Sequence, residues 1–270
     1  MKTRLHSGSV HGILSSVAIT CTTVSMVCLF ASGAANATPL ILNGGFESGF
    51  TSWTRLNQLG SEGAFSLQTG TVSPINGDTV PAPPGGVFAA MTDALGPGSH
   101  VLYQDFVVPA EGALLSFSLF IGNRADRFAT PASLDFSTPA LNQQARVDIL
   151  RAGIDPFSVA VADVLLNLYQ TNVGDPLISG YNALNFDLTS LFNANVGQTL
   201  RLRFAETDNL STFQFGVDNV SLETSTLVPE PSSLLSVGTG LVALLGMLRH
   251  RWRSFGTFSL TLFPTSGGGL

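Results

Sequence analysis

Leu200, Leu202 and Phe204 alternate with Arg201 and Arg203, and this period of two recurs along the chain. Leu115, Phe117 and Leu119 alternate with Ser116 and Ser118, and Arg146-Val147-Asp148-Ile149 places its apolar groups on one face. Successive side chains of a strand point to opposite faces, so such stretches predict half-buried strands rather than helices. Further strands are expected at Leu40–Leu42, Trp53–Leu56, Val87–Met91, Val101–Val108 and Val164–Tyr169, with turns such as Val80-Pro81-Ala82-Pro83-Pro84-Gly85-Gly86 between them. About nine to eleven short strands punctuated in this way predict an all-β fold of two packed sheets, with one helical turn near Leu188–Asn193 after Asp187.

In Phe213-Gln214-Phe215-Gly216-Val217-Asp218-Asn219-Val220-Ser221-Leu222 the apolar positions are odd up to Val217 and even from Val220. A strand changes parity only by an extra residue, which predicts a bulge at Asp218-Asn219.

The ends of the chain differ in character. Residues 1–37 read as a secretory signal, with Lys2, Arg4, His6 and His11 before a mostly apolar Ile13–Phe30 and a small-residue cleavage site at Ala35-Asn36-Ala37. A retained N-terminal membrane helix is the alternative, disfavoured by the helix-hostile Ser, Gly and Asn before that site. Near the other end, Val228-Pro229-Glu230-Pro231-Ser232-Ser233 leads into the uncharged run Leu234–Leu248, followed by Arg249, Arg251 and Arg253. The prolines keep the approach extended, a serine can cap the helix, and the arginines act as a membrane stop.

This order resembles the PEP-CTERM sorting tail of exported bacterial proteins, over Val228–Arg253. The resemblance implies recognition of Pro229, Glu230 and Pro231 by a membrane exosortase, which removes the tail and passes the protein to the cell surface. Ser254–Leu270, with Phe255, Phe258 and Phe263, depart from the family pattern, whose members end soon after the basic cluster. A plain C-terminal anchor is the alternative, and a run of this length is short for a full span. The expected organisation is a signal peptide over 1–37, a sandwich domain over 38–222, a linker carrying the Pro-Glu-Pro motif over 223–233, a transmembrane sorting helix with its basic cluster over 234–253, and a cytoplasmic extension over 254–270.

Charge and cysteine usage exclude several functions. From Thr38 to Leu227 seven arginines face 17 acidic residues, a net charge of −10 that repels phosphate backbones and argues against nucleic-acid binding. Cys21 and Cys28 both lie in the signal, so a chain beginning at Thr38 has no thiol for catalysis or metal binding.

Asn43-Gly44-Gly45-Phe46-Glu47, with Trp53 behind it, and the strand around Asp218-Asn219-Val220 together resemble the first and last strands of the galactose-binding-like jelly roll of carbohydrate-binding modules. That resemblance implies a jelly-roll-like β-sandwich with its terminal strands side by side, and Glu47 and Asp218 as candidate calcium ligands. Calcium takes 6 to 8 oxygens, so carbonyls and Asn43 would have to contribute. The alternative is that Glu47 accepts hydrogen bonds from the Gly-rich turn and Asp218 from the bulge. Tyr103, Tyr169 and Tyr181 are candidate sugar-stacking rings, while Trp53, just after the first strand, reads as core.

Enzymatic signals are thin. His100 is the one histidine between Thr38 and Leu227, it reads as a turn residue at a strand start, and no Gly-x-Ser-x-Gly elbow is present. One histidine does not make a zinc site. Asn123-Arg124-Ala125-Asp126-Arg127 reads as a self-paired surface loop. The expected function is that of an exported, non-enzymatic structural, adhesive or carbohydrate-binding module at the cell surface, with exosortase, the membrane and extracellular polysaccharide as partners. A secreted carbohydrate-active hydrolase is the alternative. A face with aromatics and no convergent carboxylates favours binding, and a cleft with two carboxylates roughly 5 to 9 Å apart favours hydrolysis.

Overall fold

A computed structural model describes residues 39–224 together with Leu244 and Leu245. The signal peptide, Pro229-Glu230-Pro231, Arg249, Arg251, Arg253 and the 254–270 extension lie outside the described residues. Among the described residues no helix is long and apolar enough to cross a membrane.

Residues 39–224 form two antiparallel sheets packed face to face. One contains β1 (Thr54–Asn57), β4 (Gly98–Val107), β9 (Thr199–Asp208), β6 (Gln143–Arg151) and β7 (Val164–Gln170), in that order. The other contains β2 (Ala64–Gln68), β3 (Ala89–Asp93), β10 (Phe213–Thr224), β5 (Ala113–Asn123) and β8 (Asn182–Asp187). The expected helical turn is α1 (Thr189–Asn193). The period-two reading holds where the sheets meet: Leu200, Leu202 and Phe204 of β9 and Leu115, Phe117 and Leu119 of β5 join one core. Phe204 stands edge-on to Phe117 at 5.4 Å and packs on Trp53 at 6.0 Å, so Trp53 is core as expected.

The bulge is also where the parity change put it. Asp218 pairs with Ser118 but Ser221 with Ser116, and Asn219 takes φ 52°. Leu40–Leu42 is not a strand. That segment lies beside β10 through a Pro39–Glu223 bridge and hydrogen bonds from Leu40 N to Leu222 O and from Val220 N to Gly44 O. Gly44 makes this approach possible, because a Cβ there would stand 1.8 Å from the Val220 carbonyl oxygen. Leu42 also exchanges hydrogen bonds with the Gln104 side chain of β4, at 2.7 and 3.0 Å, and so ties the chain's approach to the opposite sheet.

The outer faces depart from simple alternation. All of β3, and all of β6 except Arg151, is buried. Loop residues cover both outer faces. Leu134, Phe157 and Val159 pack on Val101 and Ala205 over the first sheet, and Val80 and Tyr181 pack on Met91 and Phe120 over the second.

Candidate functional site

A cleft of about 310 Å³ lies on the outer face of the first sheet. One wall is the loop carrying Ser133, Leu134 and Asp135; the other carries Asp155, Phe157 and Val159, and Gln58 closes one side. Its base is apolar, since Phe157 and Val159, with Tyr103 beside them, rest on Val101, Leu134 and Ala205.

Buried electrostatics fix the second wall. Arg203 of β9 is fully buried and donates at 2.7 Å to the carbonyls of Pro156 and of Ser158, on either side of Phe157. Its other amine donates to Asp148. Asp148 also takes a two-pronged contact from Arg146, 2.7 Å in each prong, and a bond from Asn167 Nδ2. Burial works against the Asp148 carboxylate, but the hydrogen bond from Arg146 and the charges of Arg203 and Arg146 outweigh it and hold its pKa below the ordinary value. Arg201 reaches Asp105 at 2.7 and 3.0 Å, lies 3.8 Å over the Tyr103 ring, and donates to Ile154 O. The two arginines that read as outward-facing are therefore the fasteners of the 154–158 loop.

The first wall is fixed through Asp135. Ser137 donates to Asp135 Oδ1 from its hydroxyl at 2.6 Å and its amide at 2.9 Å, and Gln58 Nε2 donates to the same oxygen. The Ser137 hydroxyl first, then Gln58, hold this carboxyl below its usual range. Opposite, Asp155 Oδ1 accepts the Phe157 amide at 3.0 Å. Among the described residues, Oδ2 of Asp135 and of Asp155 accepts no hydrogen bond. The cleft thus offers a fixed half-buried ring, two carboxylate oxygens and an amide, which suits a rigid polyhydroxylated ligand with one apolar face.

The other expected site residues scatter. Tyr103 lies beside the cleft. Tyr181 is covered over Phe120 and Met91, its hydroxyl directed at Gln68. Tyr169 packs against the core at the far edge of its sheet. Arg127 pairs with Asp126 at 2.9 Å as expected, whereas Arg124 reaches away from that loop to Asp78 at 3.2 Å.

Glu47 and Asp218 do come together, under the Gly85–Phe88 strap. Glu47 Oε1 accepts the amides of Val87 and Phe88, at 2.8 and 2.9 Å. Asp218 accepts those of Asn219, at 2.7 Å, and Gly85, at 3.1 Å. The bulge supplies one donor as anticipated, but the Glu47 donors come from the strap rather than the Gly44-Gly45 turn. Burial, with the Glu47 charge adding to it, pushes Asp218 up to about 6. A cation fits this pair in part: two carboxylates converge, and Glu47 Oε2 accepts no hydrogen bond among the described residues. Asn43 is not part of the shell, because its side chain closes its own turn through Gly49 O, Thr51 O and Ser48 N. No group of three His, Cys, Asp or Glu side chains suited to a metal occurs among the described residues.

His100 corrects its sequence reading. It is the third residue of β4, 1% exposed, with Nδ1 2.9 Å from Asn57 Oδ1 and no partner for Nε2. Burial lowers its pKa to about 4. On the neighbouring strand Glu206 and Asp208 continue the inward parity of Leu202 and Phe204. Glu206 is buried with Oε1 unpartnered, and burial first, then the Asp208 charge, push its pKa well up. Asp208 is pushed up to about 7 by burial and accepts Gly98 N at 2.8 Å. The signal for this buried acid pair was present: the alternation of β9 runs past Phe204 into two carboxylates on its apolar face.

No family model matches the chain, and no curated protein matches it. Among solved structures it is similar to the carbohydrate-binding module TmCBM61 in complex with β-1,4-galactotriose, with TM-score 0.40 and 11% identity over 70% of this chain and 99% of that one. It is also similar to the K3 adhesin domain of Lys-gingipain from Porphyromonas gingivalis, with TM-score 0.43 and 12% identity over 69% and 100%. A Stig cyclase from Fischerella sp. gives TM-score 0.40 and 17% identity over 70% and 98%. None of these likenesses carries a functional argument.

Proposed function

We propose that this chain is an exported, non-enzymatic surface module that binds carbohydrate in the cleft between Asp135 and Asp155. The observation that carries the reading is the clamped ring: Phe157 sits between two carbonyls held by one buried arginine, so it can meet a sugar face without first being ordered. Titration calorimetry against a panel of oligosaccharides tests it. Phe157→Ala is expected to weaken the best ligand by about 1–3 kcal/mol, the scale of losing an anchoring ring. Binding that ignores this substitution would move the site elsewhere.

The cleft does contain two carboxylates, which keeps hydrolysis as the second reading. Hydrolysis needs one carboxyl raised into the role of general acid. Asp135 is instead held low by its donors. Asp135 does not fill that role, and the apolar ring beside it favours binding; release of reducing ends from a bound oligosaccharide would reverse that choice.

Export rests on the two terminal segments. The proposal is passage through the membrane, recognition of Pro229-Glu230-Pro231 by an exosortase, and transfer to the cell surface or its polysaccharide matrix. Mass spectrometry of the protein from its host should find Thr38 at the new N-terminus and no peptide beyond Pro231. An uncleaved cytosolic chain would refute it.

A structural calcium ion at Glu47 and Asp218 completes the proposal. It is supported by two converging carboxylates, one of them destabilised by the other's charge. Millimolar calcium should raise the melting temperature by several degrees, the scale of about 1–2 kcal/mol in a domain of this size. Glu47→Gln should abolish the rise, and an unchanged melt in the wild type would remove the ion.

A further inference from the structure

From the charges around the cleft we infer that it selects deacetylated amino sugars over N-acetylated ones and rejects uronic and sulfated sugars. This rests on the cleft being the carbohydrate site. No Lys, Arg or His lines it, and its two charged groups are the carboxylates of Asp135 and Asp155. The neighbouring arginines are committed elsewhere. Arg201 holds Asp105 and the Ile154 carbonyl. Arg203 holds Asp148 and the carbonyls of Pro156 and Ser158. Arg146 holds Asp148. Arg203 and Arg146 cannot swing in to neutralise a ligand carboxylate or sulfate without abandoning the buried Asp148, which is costly, and Arg201 would have to leave Asp105, the Tyr103 ring and the Ile154 carbonyl together.

Each carboxylate uses Oδ1 to fix its own loop and leaves Oδ2 for a ligand. An incoming ammonium would find a charge-assisted acceptor on either wall while its pyranose face rests on Phe157. An anionic sugar would place its charge against both carboxylates, and the nearest cation, Arg203, is buried and committed to Asp148 and two carbonyls. The hydrogen bonds that hold Asp135 ionised keep this selection working in mildly acid surroundings.

Glucosamine, N-acetylglucosamine and galacturonate oligomers of equal length, titrated at about pH 6 where the amine is charged, form the test. The glucosamine oligomer should bind at least about fivefold more tightly than its acetylated counterpart, the scale of one or two partly exposed ion pairs, and the galacturonate oligomer should not bind. Asp155→Asn, whose amide oxygen can still accept the Phe157 amide, should cut the preference to about half, and the double variant Asp135→Asn with Asp155→Asn should erase it. Glu111→Gln with Glu223→Gln, which removes surface charge elsewhere, should leave it intact. Equal or tighter binding of the acetylated oligomer, or binding of galacturonate, overturns the charge inference while the cleft stands. Loss of preference in the Glu111/Glu223 variant assigns the effect to overall charge and overturns it too. Binding that Phe157→Ala leaves unchanged, or no binding of any oligomer, removes the cleft itself.

Discussion

The domain is expected to be most stable near pH 4.5 and to weaken steadily toward pH 8, the reverse of the usual mid-pH optimum. Three carboxyl groups carry this. Asp208 titrates at 3.8 unfolded and about 7 folded. Asp218 moves from 3.8 to about 6. Glu206 lies well above its ordinary 4.5. A folded pKa above the unfolded one means that the folded chain holds the extra proton, so stability is present at low pH and is lost as pH climbs through the folded value.

His100 opposes them. Its pKa falls from 6.5 to about 4, so the unfolded chain holds the extra proton between those values and this residue favours folding as pH rises there. One histidine against three carboxyls leaves the carboxyls in control. The groups facing Glu206 do not reverse this: Asp208 raises it further, and the Thr92 hydrogen bond lowers it only in part. From pH 5 to pH 7 Asp208 alone accounts for roughly 2 kcal/mol, or about 6 °C in a domain of this size. Asp208→Asn should flatten much of the profile and raise stability at pH 8, since the amide oxygen can still accept Gly98 N. Urea denaturation at several pH values measures both. A profile that is flat or rises between pH 5 and 8 would show that the buried acids are solvated in a way their burial does not suggest.

Much of the frame is legible in the sequence. Alternation set the inward faces of β5, β6 and β9, because two apolar sheet faces must meet and a strand offers them only at every second residue. The parity change located the bulge for the same reason. The strands that reading passed over are informative. Leu184 and Phe186 of β8 alternate clearly, but Asn182, Asn185 and Asp187 surround them, and such residues are depleted in strands. β2 contributes only Phe65 to the fully buried core and follows a Gly-rich turn, so its pattern is too short to stand out.

The cleft was not readable at all. Asp135 and Asp155 sit in loops with no motif, and they face one cleft only because both loops fold over the same sheet. Arg146, Asp148, Arg201 and Arg203 looked like an ordinary solvated face. Sequence gives their alternation, but not that a loop 47 residues earlier, at Pro156, would come down to use Arg203.

That dependence makes Arg203 the residue whose loss should do most damage. Arg203→Ala leaves Asp148 buried with Arg146 as its remaining guanidinium partner, and strands the Pro156 and Ser158 carbonyls. Breaking one side of a buried ionic contact costs about 3–5 kcal/mol; the surviving Arg146 contact places the expectation near the lower end, about 3 kcal/mol or 10 °C in melting temperature. Two consequences should then separate. The melt reports the weakened ion cluster, and carbohydrate affinity reports the freed wall, because Phe157 loses both of its fixed neighbours and must be reordered on binding. Arg203→Lys distinguishes charge from geometry. A lysine keeps the charge beside Asp148 but cannot reach the carboxylate and both carbonyls as a planar fork does. It should recover part of the stability and little of the affinity. If Arg203→Ala melts within about 2 °C of the wild type, the ion cluster is not what holds this loop, and the clamped ring loses its physical basis.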